Sequence, residues 1–173
     1  MPKPLDQNGL MAFAAQALSA RALTIAELRT KLSRRAAEPS DVDQVLARLK
    51  ESGYLNDQRF AESYASWRKD DGGFGKTRVL RDLMARKVAP AVAKHASEAA
   101  FKGADEVAMI EAFLKRKYRG KDLGALLKEE KHLASAYRKL RMSGFSTANS
   151  VKVLKRYAAQ AELLEESDEP VED

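Results

Sequence analysis

Gly53-Tyr54-Leu55-Asn56-Asp57-Gln58-Arg59-Phe60-Ala61-Glu62-Ser63-Tyr64-Ala65-Ser66-Trp67-Arg68 decides the fold. The stretch holds a helix stop, a turn, a helix start and an aromatic stripe. Gly53 follows the apolar-periodic run Val42, Val45, Leu46, Leu49, and a glycine there can take positive φ and close the helix. Asn56 can accept the free N–H groups of the next helix, and Asp57 suits the positive end of its dipole. Phe60, Tyr64 and Trp67 fall at i, i+4 and i+7, which puts them on one helical face. Tyr54 and Leu55 are expected to pack beneath that face, making the corner a piece of core.

Outward from this corner the chain reads as helix nearly throughout. Among its 173 residues alanine occurs 29 times, against nine glycines and five prolines, a bias toward helix. No run alternates at period two for long enough to demand a strand. Thr24-Ile25-Ala26-Glu27 is a capping-box pattern that opens a helix with Leu28 and Leu32 inward. Pro39-Ser40-Asp41 starts the next helix, and the one from Asn56 ends near Asp70. Asp71-Gly72-Gly73-Phe74-Gly75 reads as the most flexible segment. A helix follows to Lys87 with Val79, Leu80, Leu83 and Met84 inward, and Ala89-Pro90 opens another. Val107, Ile110, Leu114 and Tyr118 stripe the next, which Gly120 closes. Leu123 to Leu127 is a short helix, Leu133 to Met142 a longer one, and Ser146 opens the last with Val151, Leu154 and Ala158 inward.

Leu49-Lys50-Glu51-Ser52-Gly53-Tyr54 returns as Leu140-Arg141-Met142-Ser143-Gly144-Phe145, 91 residues later. That spacing is about twice 45, so a middle copy falls near residues 75–119. The expected architecture is all-α: tandem three-helix repeats in an elongated, curved array. The divisions are a leading helix at 1–23, repeats at 24–70, 71–119 and 120–160, and an acidic disordered tail at 161–173.

Charge and composition narrow the function. The chain carries +6, yet Ala161 to Asp173 holds seven acids and no base, leaving +13 on the first 160 residues. A body that basic suits a polyanionic partner such as nucleic acid. The absence of cysteine removes disulfide and thiolate chemistry and fits a reducing cytosol. Leu10 to Ala20 is apolar but reads as a first helix rather than a signal peptide, since Asp6 offsets Lys3. No stretch is long enough to span a membrane. His95 and His132 have no partner at metal-ligand spacing. Gly73-Phe74-Gly75-Lys76-Thr77 lacks the spacer and preceding strand of a phosphate loop. No catalytic residue, metal site or cofactor is assigned.

The candidate contacts are basic. Arg78 and Arg81 stand opposite the apolar side of their helix, with Arg86 flanking it. Lys115, Arg116, Lys117, Arg119 and Lys121 form the densest cluster. Lys152, Lys155 and Arg156 share the outward face of the last helix. Each alone is an ordinary solvated residue, and recurrence along the chain makes the case for an extended basic surface.

Leu18, Arg21, Thr24 and Glu27-Leu28 resemble the opening of the RecX family of recombination regulators. Gly53-Tyr54-Leu55-Asn56-Asp57 with Arg59-Phe60-Ala61, Tyr64 and Arg68 resembles the family's most distinctive run. Gly75, Arg78-Val79-Leu80, Leu83 and Arg86-Lys87-Val88 resemble its second block, and Gly144-Phe145-Ser146 with Val151 and Val153-Leu154-Lys155 its third. In that motif Gly53, Tyr54, Leu55, Asp57, Phe60, Tyr64 and Arg68 read as mainly structural. Ala36 and Lys87 stand where the family tends to have glycine, so those helix ends are expected to close differently.

The resemblance implies an all-helical regulator; the repeat array suits a monomer, the lack of cysteine the cytoplasm, and the lack of a catalytic constellation a protein without enzymatic activity. Its implied partner is the RecA recombinase filament on single-stranded DNA, with DNA phosphates as a further contact. The implied effect is inhibition of ATP hydrolysis and strand exchange. A helical DNA-binding protein without a recombinase partner is the alternative.

Overall fold

The computed structural model describes residues 3–166, and what was expected of residues 167–173 lies outside them. Every regular element among the described residues is helical; the one β-type pairing is an isolated parallel bridge between Leu5 and Ala36. The α-helices are α1 Gln7–Ala20, α2 Ile25–Ser33, α3 Pro39–Glu51, α4 Asp57–Asp70, α5 Lys76–Ala85, α6 Pro90–Phe101, α7 Glu106–Lys117, α8 Leu123–Leu126, α9 Glu130–Met142 and α10 Thr147–Leu154. A 3-10 turn, Ala159–Glu162, and a single turn α11, Leu163–Glu166, follow. The chain forms two compact units, Met1–Ala65 with Arg81–Ala99 and Ser66–Leu80 with Ala100–Asp173.

In the first unit α1, α2 and α3 pack on one another around Leu10, Ala14, Leu28, Leu32, Val45 and Leu46. The helix starts follow from local chemistry. Thr24 and Glu27 form the expected capping box, each side chain accepting the other's backbone N–H at 3.1 Å. Thr24 is fully buried, and its hydroxyl donates onward to the Arg86 carbonyl at 2.9 Å. Asn56 accepts the Arg59 N–H at 2.9 Å and so starts α4. Asp57 instead accepts the Ile25 N–H at 2.8 Å, so one carboxylate in the first turn of α4 satisfies an orphan donor of α2.

The two positions that lack the family's glycine close in different ways. Ala36 avoids positive φ: Leu5 donates to Arg35 O at 2.7 Å and accepts from Ala37 N–H at 2.9 Å, turning the chain by a bridge. Lys87 takes the left-handed conformation itself, at φ 63°, the one non-glycine to do so among the described residues. A residue with a Cβ loses about 1–2 kcal/mol there. Glycine would return about 0.4–1 kcal/mol of that through the freer unfolded chain. Lys87→Gly should therefore stabilise the protein by about 0.5–1 kcal/mol, read as a higher urea midpoint at unchanged m-value.

The second unit is built on α7, α9 and α10, with α10 against both others. Its core holds Ile110, Leu114, Leu127, Leu133, Leu140, Phe145, Val151 and Leu154. Phe113 meets Phe145 edge to face, with ring centroids 5.7 Å apart.

The segment Asp71–Gly75, expected to be the most flexible, is tied down. Gly73 and Phe74 donate back to Lys69 O and Arg68 O at 3.1 Å, and Gly75 donates to Ser143 O at 2.8 Å. Gly75 is buried, its backbone laid against that of Gly144. Ala161, assigned by charge to the tail, is fully buried in this core, and helical turns continue to Glu166.

Candidate functional site

The opening stretch is only partly core. Leu55 is buried, at 3% exposed, but Tyr54 is 72% exposed and Trp67 52%. Met84, expected inward on α5, is also exposed. Phe60 and Tyr64 do pair, stacked with centroids 5.8 Å apart and planes 14° apart. A guanidinium covers them: Arg86 lies 5.4 Å from the Phe60 ring and 4.9 Å from Tyr64. Arg86 also pairs with Glu27 at 3.9 Å, so it joins α5 to the capping box of α2. Arg68 lies 4.0 Å above the Phe74 ring and 5.7 Å from Trp67.

The basic residues therefore divide by occupation. Arg78 donates to Met142 O at 3.2 Å and faces the Phe74 ring at 5.5 Å. Arg116 donates to Gly72 O at 3.0 Å and stands with Lys69 at the rim of a groove of about 330 Å³ floored by Met109 and Phe113. With Arg86, these arginines are engaged within the fold. Lys155 and Arg156 lie just past the end of α10 rather than on it, and pair with Glu162 and Glu111. Lys115, Lys117, Arg119, Lys121 and Lys152 are exposed and make no ion pair among the described residues; Arg81 is likewise exposed in the first unit. Thus the dense cluster at the end of α7 keeps most of its cations in solvent, while the other groups are partly used up.

Glu106, which sequence reading passed over, is a carboxylate of the second unit with three hydrogen-bond donors. It sits in the first turn of α7 and accepts from the Ser146 N–H at 2.9 Å, the Ser146 hydroxyl at 2.6 Å and the Asn149 amide. It thereby clamps the start of α10 to α7. Partial burial raises its pKa, but the bonds from Ser146 and Asn149, with help from Arg141, outweigh that and set it below the ordinary 4.5. The sign follows: stability from this carboxylate is complete above pH 4.5 and is lost as pH falls through the lower folded value. Glu106→Gln should cost about 1 kcal/mol at neutral pH, the difference between charged and neutral acceptors. It should also flatten the acid limb of a melting-temperature profile. An unchanged acid limb would remove Glu106 as its source.

Chemistry finds no constellation here. Among the described residues no group of three or more His, Cys, Asp or Glu side chains could hold a metal, and no helix is long and apolar enough to cross a membrane. His132 lies 3.5 Å from Glu129, at an exposed helix start.

Comparison with known proteins gives the family. The models for the RecX first and second three-helix domains match residues 11–49 and 56–96, which are most of α1–α3 and of α4–α6. Regulatory protein RecX of Deinococcus radiodurans is 34% identical over 140 residues, covering 81% of this chain and 64% of that protein's length. Regulatory protein RecX of Trichlorobacter lovleyi is 30% identical over 105 residues, covering 61% of this chain and 68% of that protein. The crystal structure of RecX from Lactobacillus salivarius superposes with a TM-score of 0.64 over 87% of this chain and 96% of that one, at 16% identity, a likeness of fold. With both three-helix domain models matched in order and the helices laid out as they require, the chain belongs to the RecX family.

Proposed function

We propose that this chain is a regulator that binds RecA recombinase filaments on single-stranded DNA and inhibits their ATP hydrolysis and strand exchange. The observation that carries the reading is the ordered match to both RecX three-helix domains, together with the similarity to regulatory proteins of that family. The exposed cations Lys115, Lys117, Arg119, Lys121 and Lys152 supply a surface suited to phosphates or acidic protein. The protein acts by occupancy, as a monomer in the cytoplasm. By holding neighbouring protomers it favours one filament state over another, in proportion to its preference for that state.

The test is RecA ATPase on single-stranded DNA with and without the protein, beside a bare-DNA binding assay. Inhibition at concentrations well below those that bind bare DNA is the expected result. Binding to bare DNA with unchanged ATPase would overturn the reading in favour of a plain DNA-binding protein.

A further inference from the structure

The end of α10 and the segment after it are joined by charge. Ala158 and Ala161 are buried in the second unit's core, and Leu164 packs against it. Gln160 donates to the Lys128 carbonyl at 3.2 Å. These anchors hold the turn Ala159–Glu162 beside α10, and they deliver the Glu162 carboxylate to the Lys155 ammonium. Arg156 is met by Glu111 of α7. Of the three bases expected to face outward, Lys152 is the one without an ion pair among the described residues.

We propose that Glu162, held beside α10 by these anchors, is a built-in competitor for the basic end of α10, occupying Lys155 until a polyanion displaces it. The proposal rests on the polyanion-binding part of the function above and adds its regulation. An anchored carboxylate acts at a high effective concentration because its tether is short. The Lys155–Glu162 pair is solvent-exposed, with side chains 41% and 67% accessible, and such pairs are weak enough to yield. A single phosphate therefore gains little by replacing Glu162, whereas a run of phosphates that also engages Lys152 and the Lys115–Lys121 cluster gains enough. Glu162 thus discriminates against weak or isolated anions and lets extended ones through.

Glu162→Gln in the full chain is the test, with Glu51→Gln, an exposed acid on α3, as a control of equal charge change. A thymidine oligonucleotide at low salt is the binding probe. Acetylation by an N-hydroxysuccinimide ester, read lysine by lysine by mass spectrometry, reports the mask without any ligand. Glu162→Gln should tighten binding about two- to five-fold and speed acetylation of Lys155 but not of Lys152. Glu51→Gln should do neither, and in a Lys155→Gln background the gain should vanish. Equal gains from the two substitutions, or an unchanged Lys155 rate, overturn the competitor. Binding that Glu162→Gln leaves unchanged overturns it too, without touching the function above. If no variant binds the oligonucleotide at low salt, polyanion binding itself falls, and the competitor with it.

Discussion

Alanine at Gly144 should cost about 2–5 kcal/mol, while alanine at Gly53, the same position of the repeated corner, should cost about 1–2 kcal/mol. Both glycines have positive φ, 91° and 74°, so the conformational penalty is shared. Space separates them. A Cβ on Gly53 would meet nothing within 4 Å, but one on Gly144 would lie 2.2 Å from the Arg78 backbone nitrogen and 2.5 Å from its Cβ. Those atoms belong to the first turn of α5, whose donors are already committed to this corner: Gly75 N–H reaches Ser143 O at 2.8 Å and Thr77 N–H reaches Gly144 O at 3.3 Å. Gly75 is confined from the other side, since a Cβ there would come within 2.3 Å of the Gly144 carbonyl oxygen. Backbone against backbone cannot yield by a rotamer change, so the overpacking cost of about 1–3 kcal/mol is added in full. Gly75 does not have positive φ, so Gly75→Ala should carry the overpacking cost alone, about 1–3 kcal/mol. Urea denaturation followed by circular dichroism, with Trp67 fluorescence as a probe within the second unit, checks both. A Gly144→Ala loss no greater than that of Gly53→Ala would mean that the two backbones are not in contact in solution.

What the sequence disclosed divides along the same line. Caps are chemistry within four residues, and Thr24–Glu27, Asn56 and Ser146 were all readable for that reason. The apolar periods read for α3 and α10 fell on core residues, Val42, Val45, Leu46, Leu49, Val151 and Leu154. Periodicity says which residues share a face, not what covers the face. Trp67 and Met84 were misplaced because their helices present those positions to solvent. Contacts between distant segments leave no local trace, so the Gly75–Gly144 approach, the Glu106 clamp and the second task of Thr24 at the Arg86 carbonyl were invisible. The candidate surface suffered the same loss. Cation density marked the cluster at the end of α7, but nothing in the sequence told that Arg78 and Arg116 would donate to carbonyls, or that Arg86 would cover two rings.

Phe145→Ala should cost about 3–5 kcal/mol, whereas Tyr54→Ala should stay within about 0.5 kcal/mol of wild type. The repeat aligns these two aromatics, and the structure shows why the alignment misleads. Both corners run alike as far as the glycine: Ser52 and Ser143 donate to Arg48 O and Lys139 O, then Gly53 and Gly144 to Lys50 O and Arg141 O. They then differ by one residue. Phe145 donates directly to Leu140 O at 3.2 Å and enters the core. In the first corner it is Leu55, one place later, that donates to Leu49 O at 3.1 Å and is buried. Tyr54 is the extra residue and points into solvent. The caps confirm the shifted register, because Asn56 follows Leu55 as Ser146 follows Phe145. Counted from the caps, Val151 corresponds to buried Ala61 and not to Phe60. Phe145 is wholly enclosed and meets Phe113, so its loss leaves a cavity lined by the core of the second unit. Tyr54 exposes most of its ring and leaves none. Denaturant midpoints of the two variants separate the registers: a Tyr54→Ala loss above about 1 kcal/mol would return that ring to the core and restore the alignment of Tyr54 with Phe145. If instead Tyr54→Ala keeps its stability but weakens the proposed inhibition of RecA ATPase, the exposed ring belongs to the surface proposed to meet the filament.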